Sequence, residues 1–552
     1  MNEQRPISAA TIAEAERLLG VDYSDAERLQ MVDNITGQIE LAIKRRATRL
    51  PQGLAPATRF DPRLPGWKPI DAGVFRPGDA PVPPLPDQDV DIAYAPVTHL
   101  ARWIRGGGLT SLRLTEIYLE RIARLGEKLK CIALATPALA REQARRADGL
   151  LAEGIDLGPL HGIPWGAKDL LDTAGIATGW GAEPYRERVP RSDATVVRKL
   201  TEAGAVLVAK TTLGALAYGD IWYEGRTRNP WNLEEGSSGS SAGSGSATAA
   251  GLVGFSIGTE TLGSIVAPSI RCGTTGLRPT FGRVSRVGAM ALCWSLDKIG
   301  PMCRTVEDTA LVLAAINGFD EGDPGSIAVP VGYEASLPVR GLRLGYFPKD
   351  LALPEADDLD REALKAARRL GLELVELERP ELPYEALMNI LFAEAAAAFE
   401  ELTLDNRDDE LTWQEPGAWP NTFRKARFLS AVDHVQLDRL RRRVMQEMAA
   451  AFGKVDAIIG PCLVGPMLTI TNFTGHPSLV MRSGFRQSET RGPLSLARAG
   501  IEQGAPTKGP PFTVPHAICL YGRLFDEGTI LRIGKALEKE FAVWDRRPPL
   551  GE

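Results

Sequence analysis

The 552-residue sequence predicts an α/β fold, a mixed central sheet flanked by helices, with a helical arm before it and a helical insertion within it. Three observations carry this reading. Beyond residue 90, short β-branched segments alternate with amphipathic helical ones, the pattern of a sheet whose strands are joined through helices. Before residue 90 a capped helical repeat gives way to a run of prolines. Between about 350 and 455 the chain turns rich in Ala and Leu and then in charge, which reads as a helical insertion beside the site.

The arm begins at Ser24, whose hydroxyl and Glu27 form a capping-box pattern. Leu29, Val32, Ile35, Ile39 and Ile43 then recur at helical spacing. From Leu50 to Asp87 ten prolines, Pro51 through Pro86, remove backbone donors and prevent regular elements, so this stretch is read as an extended strap. Residues 1–90 therefore form an arm and strap, and residues 91–552 the main domain. Within it Leu114, Ile117, Tyr118, Ile122 and Leu125 mark an amphipathic helix, while Ala205 to Ala209, Leu342 to Phe347 and Ala457 to Ile459 read as strands.

Composition narrows the function. With 44% hydrophobic and 24% charged residues the chain has the make-up of a folded enzyme. Lys and Arg total 64 against 70 for Asp and Glu, a net charge of -6, so nucleic acid is not an expected partner. No segment reaches the roughly 18 uncharged apolar residues of a membrane helix, and Met1 to Gln30 lacks a signal-peptide core, so the expected location is cytoplasmic, with no membrane partner. Cys131, Cys272, Cys293, Cys303, Cys462 and Cys519 are scattered without a CxxC pair and are expected as reduced, buried thiols. No HExxH or paired-histidine motif occurs, so neither metal nor cofactor is expected.

The chemistry lies in a stretch rich in glycine and serine. Residues 236–246 read GSSGSSAGSGS and run straight into an apolar segment with Gly251, Gly254, Gly258 and Gly263. A flexible linker would stay polar. A phosphate-binding loop needs a lysine, and none lies between residues 211 and 297. Serines on such turns can serve as nucleophiles, because glycine lets a substrate carbonyl approach main-chain donors. Gly254-Phe255-Ser256-Ile257-Gly258 and Gly239-Ser240-Ser241-Ala242-Gly243 both match the GxSxG elbow of histidine-dependent esterases. That chemistry would draw on His434, His476 or His516.

Gly-Ser-Ser-Ala-Gly at 239–243, Gly-Thr-Glu-Thr-Leu-Gly-Ser at 258–264 and Gly-Leu-Arg-Pro-Thr at 276–280 together resemble the amidase signature family, as does Gly162-Ile163-Pro164-Trp165-Gly166-Ala167-Lys168-Asp169 upstream. Gly204 to Lys210, Arg228-Asn229-Pro230-Trp231, Gly475-His476-Pro477 and Gly522 to Asp526 extend the resemblance over roughly residues 95–540. It implies the amidase signature fold and an amide hydrolase with a Ser-cisSer-Lys triad. Ser264 would be the nucleophile, Ser240 the bridging serine after a cis bond to Gly239, and Lys168 the base. The resemblance also implies an oxyanion hole from the backbone of Thr261, Leu262, Gly263 and Ser264, and a substrate site at Leu216, Ala217, Tyr218 and Gly239. Trp165, Trp180 and the insertion are further candidate walls. The chain departs from the family at Glu260, Leu262, Ser238 and Val266, where Asp, Gly, Gly and Arg are usual. Glu260 is thereby left to find Arg271 or another partner.

The function expected from these residues is a stand-alone hydrolase acting on a small-molecule aryl or small amide, or a carbamate, through an acyl-enzyme. A carbamate or ester hydrolase with the same triad is the alternative, followed by the histidine-dependent esterase and by the ammonia-supplying subunit of a tRNA-dependent amidotransferase. The arm is an expected means of homodimer formation.

Overall fold

A computed structural model describes residues 7–70, 73–492, 494–497 and 500–551. Eleven strands build the main sheet: β1 (Ile132–Ala135), β2 (Pro164–Lys168), β3 (Val206–Thr211), β4 (Phe255–Glu260), β5 (Thr275–Arg278), β6 (Lys298–Cys303), β7 (Arg343–Tyr346), β8 (Glu373–Glu376), β9 (Ala457–Pro461), β10 (Ser478–Thr490) and β11 (Thr507–Gly522). Their order is β8-β7-β9-β11-β10-β5-β6-β4-β2-β3-β1. The sheet is mixed: β4-β2-β3 and β8-β7-β9 are parallel, and the strands between them are antiparallel. Every residue of β2, β3 and β4 is buried, as expected of parallel strands covered by helices on both faces.

Helices α1 (Ala9–Leu19) and α2 (Asp25–Arg46) form the arm, each opened by a serine capping box. The apolar stripe of α2 does not bury as its spacing suggested, for Leu29 and Ile43 stay exposed and Val32, Ile35 and Ile39 are only half-buried. Ion pairs hold the arm instead, Arg45 to Glu400 at 2.7 Å and Arg49 to Asp405 at 2.8 Å. The strap is extended and anchored: Phe75–Arg76 pairs in parallel with Tyr333–Glu334, and Trp67 packs on Phe525.

The strands of the main domain fall where the sequence placed them, but the insertion is smaller than expected. Helix α3 (Asp358–Arg369) and β8, both within 350–455, form the crossover and parallel neighbour of β7 and so belong to the sheet. The wholly helical part runs from Tyr384 to Phe452 and includes Met388–Ala398, Trp419–Ala426 and Ala431–Phe452. The cysteines are all free thiols, buried except for the half-buried Cys462. No helix among the described residues is long and apolar enough to cross a membrane.

Candidate active site

Strands β2 and β4 run side by side in parallel, with Gly166 opposite Ser256 and Ala167 opposite Ile257. Their carboxyl ends therefore deliver Lys168 and Thr259–Glu260 to one place, where ligand sites of α/β sheets usually form. The Gly239–Ser240 peptide bond is cis. Glycine is required at 239, since a Cβ there would lie 1.8 Å from the carbonyl oxygen of Gly219.

Lys168 is fully buried. Its Nζ lies 2.8 Å from Ser240 Oγ, 3.0 Å from Ser241 Oγ, and 2.8 Å from Thr259 Oγ1. Burial drives its pKa well below the ordinary 10.5, and the carboxylates of Asp297 and Glu260 only partly oppose this. A neutral amine has one lone pair to accept a proton. Ser241 does not supply one, because its hydroxyl donates to Thr259 O at 3.0 Å and already accepts from Thr259 N. Of the remaining two hydroxyls, Ser240 lines the same cavity as Ser264, and Thr259 does not.

Ser264 sits in the turn between β4 and the short helix Val266–Cys272, with Gly263 at φ 82°. Glu260 holds that turn. Its carboxylate accepts from the N–H of Ile265 at 2.8 Å and of Val266 at 3.0 Å, pairs with Arg278 at 2.7 Å, and accepts from Asn472 at 2.9 Å. Burial alone would raise its pKa, but Arg278 overrides that and holds it at about 2. Glu260 thus finds Arg278 of β5; Arg271 pairs with Glu235 instead. With the turn so fixed, the N–H groups of Thr261, Leu262, Gly263 and Ser264 have no acceptor among the described residues.

Ala217, Tyr218, Gly239, Leu262, Leu292, Leu391 and Trp419 wall the cavity beside Ser264, and no charged side chain lines it. Leu216 is not among the walls. It is buried, and its carbonyl accepts from Trp419 Nε1 at 3.0 Å. Trp165 and Trp180 are likewise absent, Trp165 stacking on Phe255 inside the sheet and Trp180 packing on Tyr185. Sequence reasoning missed Thr259, Ser241, Leu391 and Trp419. The first two stand inside the quoted motifs, whereas nothing local marks the other two.

The elbow reading of Ser256 does not survive, because this serine is buried in the middle of β4 and accepts from Thr248 Oγ1 at 3.0 Å. His476 and His516 bond to the hydroxyls of Thr474 and Ser483, away from the cavity. Ser256→Ala is expected to change amide turnover less than about twofold while costing about 1 kcal/mol of stability. Steady-state rates and denaturant melts check both. Among the described residues no group of His, Cys, Asp and Glu is arranged to hold a metal ion.

The family model for amidases matches residues 113–487. The A subunit of glutamyl-tRNA(Gln) amidotransferase from Roseiflexus castenholzii is 36% identical over 473 residues, 80% of this chain and 95% of the relative. The protein of that name from Geobacter metallireducens is 35% identical over 475 residues, 79% of this chain and 94% of its own. Among solved structures, the peptide amidase of Stenotrophomonas maltophilia superposes with a TM-score of 0.68 at 28% identity, over 82% of this chain and 98% of that one. The curated relatives overturn the expectation of a stand-alone hydrolase on a small molecule with no nucleic acid among its partners, since they are named as subunits of a tRNA-directed enzyme. Net charge misled here because it weighs one chain's own affinity for phosphates and is silent about what a subunit's partners bind. The matched span, the paired strands carrying Lys168 and Glu260, and the relatives agree that the chain belongs to the amidase signature family.

Proposed function

We propose that this chain is the amide-cleaving subunit of an amidotransferase, releasing ammonia from a carboxamide donor for transfer to a glutamyl-tRNA. The observation that carries this is the 36% identity over 95% of the length of a curated glutamyl-tRNA(Gln) amidotransferase subunit. In the proposed reaction Ser264 Oγ attacks the carboxamide carbon as its proton passes to Ser240 and the Ser240 proton to Lys168 Nζ. The oxyanion is held by the free N–H groups of residues 261–264. A proton returned from Lys168 through Ser240 lets the nitrogen leave as ammonia. Water then hydrolyses the acyl-Ser264 ester to the acid and restores the serine.

A route for the ammonia supports the reading. A second cavity of about 170 Å³ shares Ala217, Thr261 and Leu292 with the first and is lined by Asp297 and Lys298. Asp297 accepts from Thr261 Oγ1 at 2.6 Å, so it borders the oxyanion turn itself. An outer groove between the strap and the helical insertion in turn shares Ala55, Arg286, Trp294 and Pro324 with that second cavity. The three adjoin in series from Ser264 to the outer groove, apolar at the serine and charged beyond it through Asp297, Lys298 and Arg286.

The test supplies glutamine labelled with ¹⁵N in its amide to this chain, glutamyl-tRNA(Gln), ATP and magnesium to activate the glutamyl carboxylate as an acyl phosphate, and the Roseiflexus castenholzii enzyme prepared with its own A subunit left out. Label is expected in the amide of the glutaminyl ester, and to vanish with Ser264→Ala. Release of ammonia from primary carboxamides with no label in the tRNA would overturn the assignment.

A further inference from the structure

We infer that a separate cavity, away from Ser264 and bordered by the strap, the body and the carboxyl-terminal tail, binds a small aromatic carboxylate. Its volume is about 190 Å³, against the roughly 10–15 Å³ that one water needs, so it has room for an organic molecule. Its walls include Trp103, Trp231, Trp544 and His99, with Pro83 and Pro86 of the strap. The indole of Trp103 and the imidazole of His99 lie 5.8 Å apart, and His99 meets Trp544 edge-on at 6.5 Å. Such walls suit a flat ring.

Arg304 and Arg482 also line the cavity, 5% and 7% exposed. A guanidinium stays protonated, so burying two of them calls for compensating negative charge. Neither forms an ion pair among the described residues. Arg304 donates to the carbonyls of Val253 and Ala95 at 2.8 Å and of Thr248 at 3.2 Å, and weakly to the Tyr118 hydroxyl, while its buried Nε has no partner. Arg482 donates to the carbonyls of Arg546 and Trp544. These bonds tie the tail and a helix end in place but bring no carboxylate. Of the acids nearby, Asp91 pairs with Arg547 at 2.7 Å, while Asp308 acts on Arg304, and Glu538 and Asp545 on Arg482, from beyond ion-pair distance; burial pushes the carboxyls of Asp308 and Glu538 up, Glu538 to about 8, so the two guanidiniums are left only partly neutralised. An anion with an aromatic ring meets both features at once.

The place matters because helices Ala242–Ala249 and Val266–Cys272 start just after Ser240 and Ser264 and end at this cavity, through Ala249 and Cys272. Trp231 Nε1 donates to the carbonyl of Cys272 at 2.7 Å. The cavity is thus at the far ends of the two helices that carry the serines.

The probe is benzoate, titrated into the full-length protein and followed by tryptophan fluorescence and calorimetry, with benzyl alcohol and inorganic phosphate as controls. Saturable one-to-one binding is expected, weakened about tenfold or more by Arg482→Gln and by Trp544→Ala, with both controls at least about tenfold weaker than benzoate. Trp544→Ala, on the half-buried tail, is expected to keep its circular dichroism and its amide turnover, so it decides the matter if Arg482→Gln fails to fold. Absence of saturable benzoate binding overturns the inference. So does binding that Trp544→Ala leaves unchanged, which places benzoate elsewhere, or phosphate binding as tight as benzoate, which makes the cavity a plain anion site.

Discussion

Replacing Lys168 with methionine is expected to lower the rate of ammonia release by on the order of 10⁴-fold, because no other group can take the Ser240 proton. Methionine fills nearly the same volume, and Ser241 and Thr259 keep their mutual hydrogen bonds, so the fold should persist. Turnover of a primary carboxamide beside a circular-dichroism spectrum checks this; activity within about tenfold of wild type would remove Lys168 from the reaction. Linkage gives an independent readout. The unfolded chain holds the Lys168 proton up to the ordinary 10.5, whereas burial makes the folded chain release it earlier. Between those two values the unfolded state binds more protons, so raising the pH stabilises the wild type. The methionine variant lacks that contribution. Wild-type stability relative to the variant should therefore improve between about pH 8 and about pH 10, as denaturant melts at the two values would show.

The second large effect is on the pair beneath the nucleophile turn. Arg278→Met leaves the fully buried Glu260 carboxylate without its cation and is expected to cost about 3–5 kcal/mol, since one charge of a buried pair is then uncompensated. Arg278 also donates to Thr471 Oγ1 at 2.8 Å and to the carbonyl of His476 at 3.0 Å, so one change frees three acceptors. The sign with pH follows from Glu260, whose folded value of about 2 lies below the ordinary 4.5. Its contribution is present above pH 4.5 and fades as pH falls toward 2. Without Arg278, burial pushes the carboxyl up and acid unfolding should begin at higher pH. Guanidinium melts across that range measure both effects, and a cost below about 1 kcal/mol at neutral pH would show that the pair does not hold the turn.

The membership of the amidase signature family was legible because the motifs that carry the resemblance are short and local. Lys168, Ser240 and Ser264 stand in short segments whose glycines are demanded by backbone contact, as the 1.8 Å approach at Gly239 illustrates. Of the three fully buried parallel strands only β3 was legible, through the apolar run Ala205 to Ala209, because Lys168 in β2 and Ser256, Thr259 and Glu260 in β4 interrupt such a run. The arm was only half legible. Its caps are local and its helices form, but whether Leu29 and Ile43 find a partner is a question about surfaces far away in sequence. The size of the insertion was misread because Asp358–Arg369 has the periodicity of any surface helix, and only its pairing through Glu373–Glu376 assigns it to the sheet.

The sequence by itself determined the sheet-and-helix architecture, through hydrophobic periodicity that acts over a few residues, and its family resemblance put Lys168, Ser240 and Ser264 forward as candidates. Only the tertiary structure decided that Glu260 takes Arg278 rather than Arg271, that Thr259 and Ser241 surround the lysine, and that Leu391 and Trp419 wall the cavity. Those partners come from segments up to about two hundred residues apart, as with Glu260 and Asn472. Their meeting is fixed by strand register and by the cost of burying an unpaired charge, neither of which a local stretch of sequence encodes.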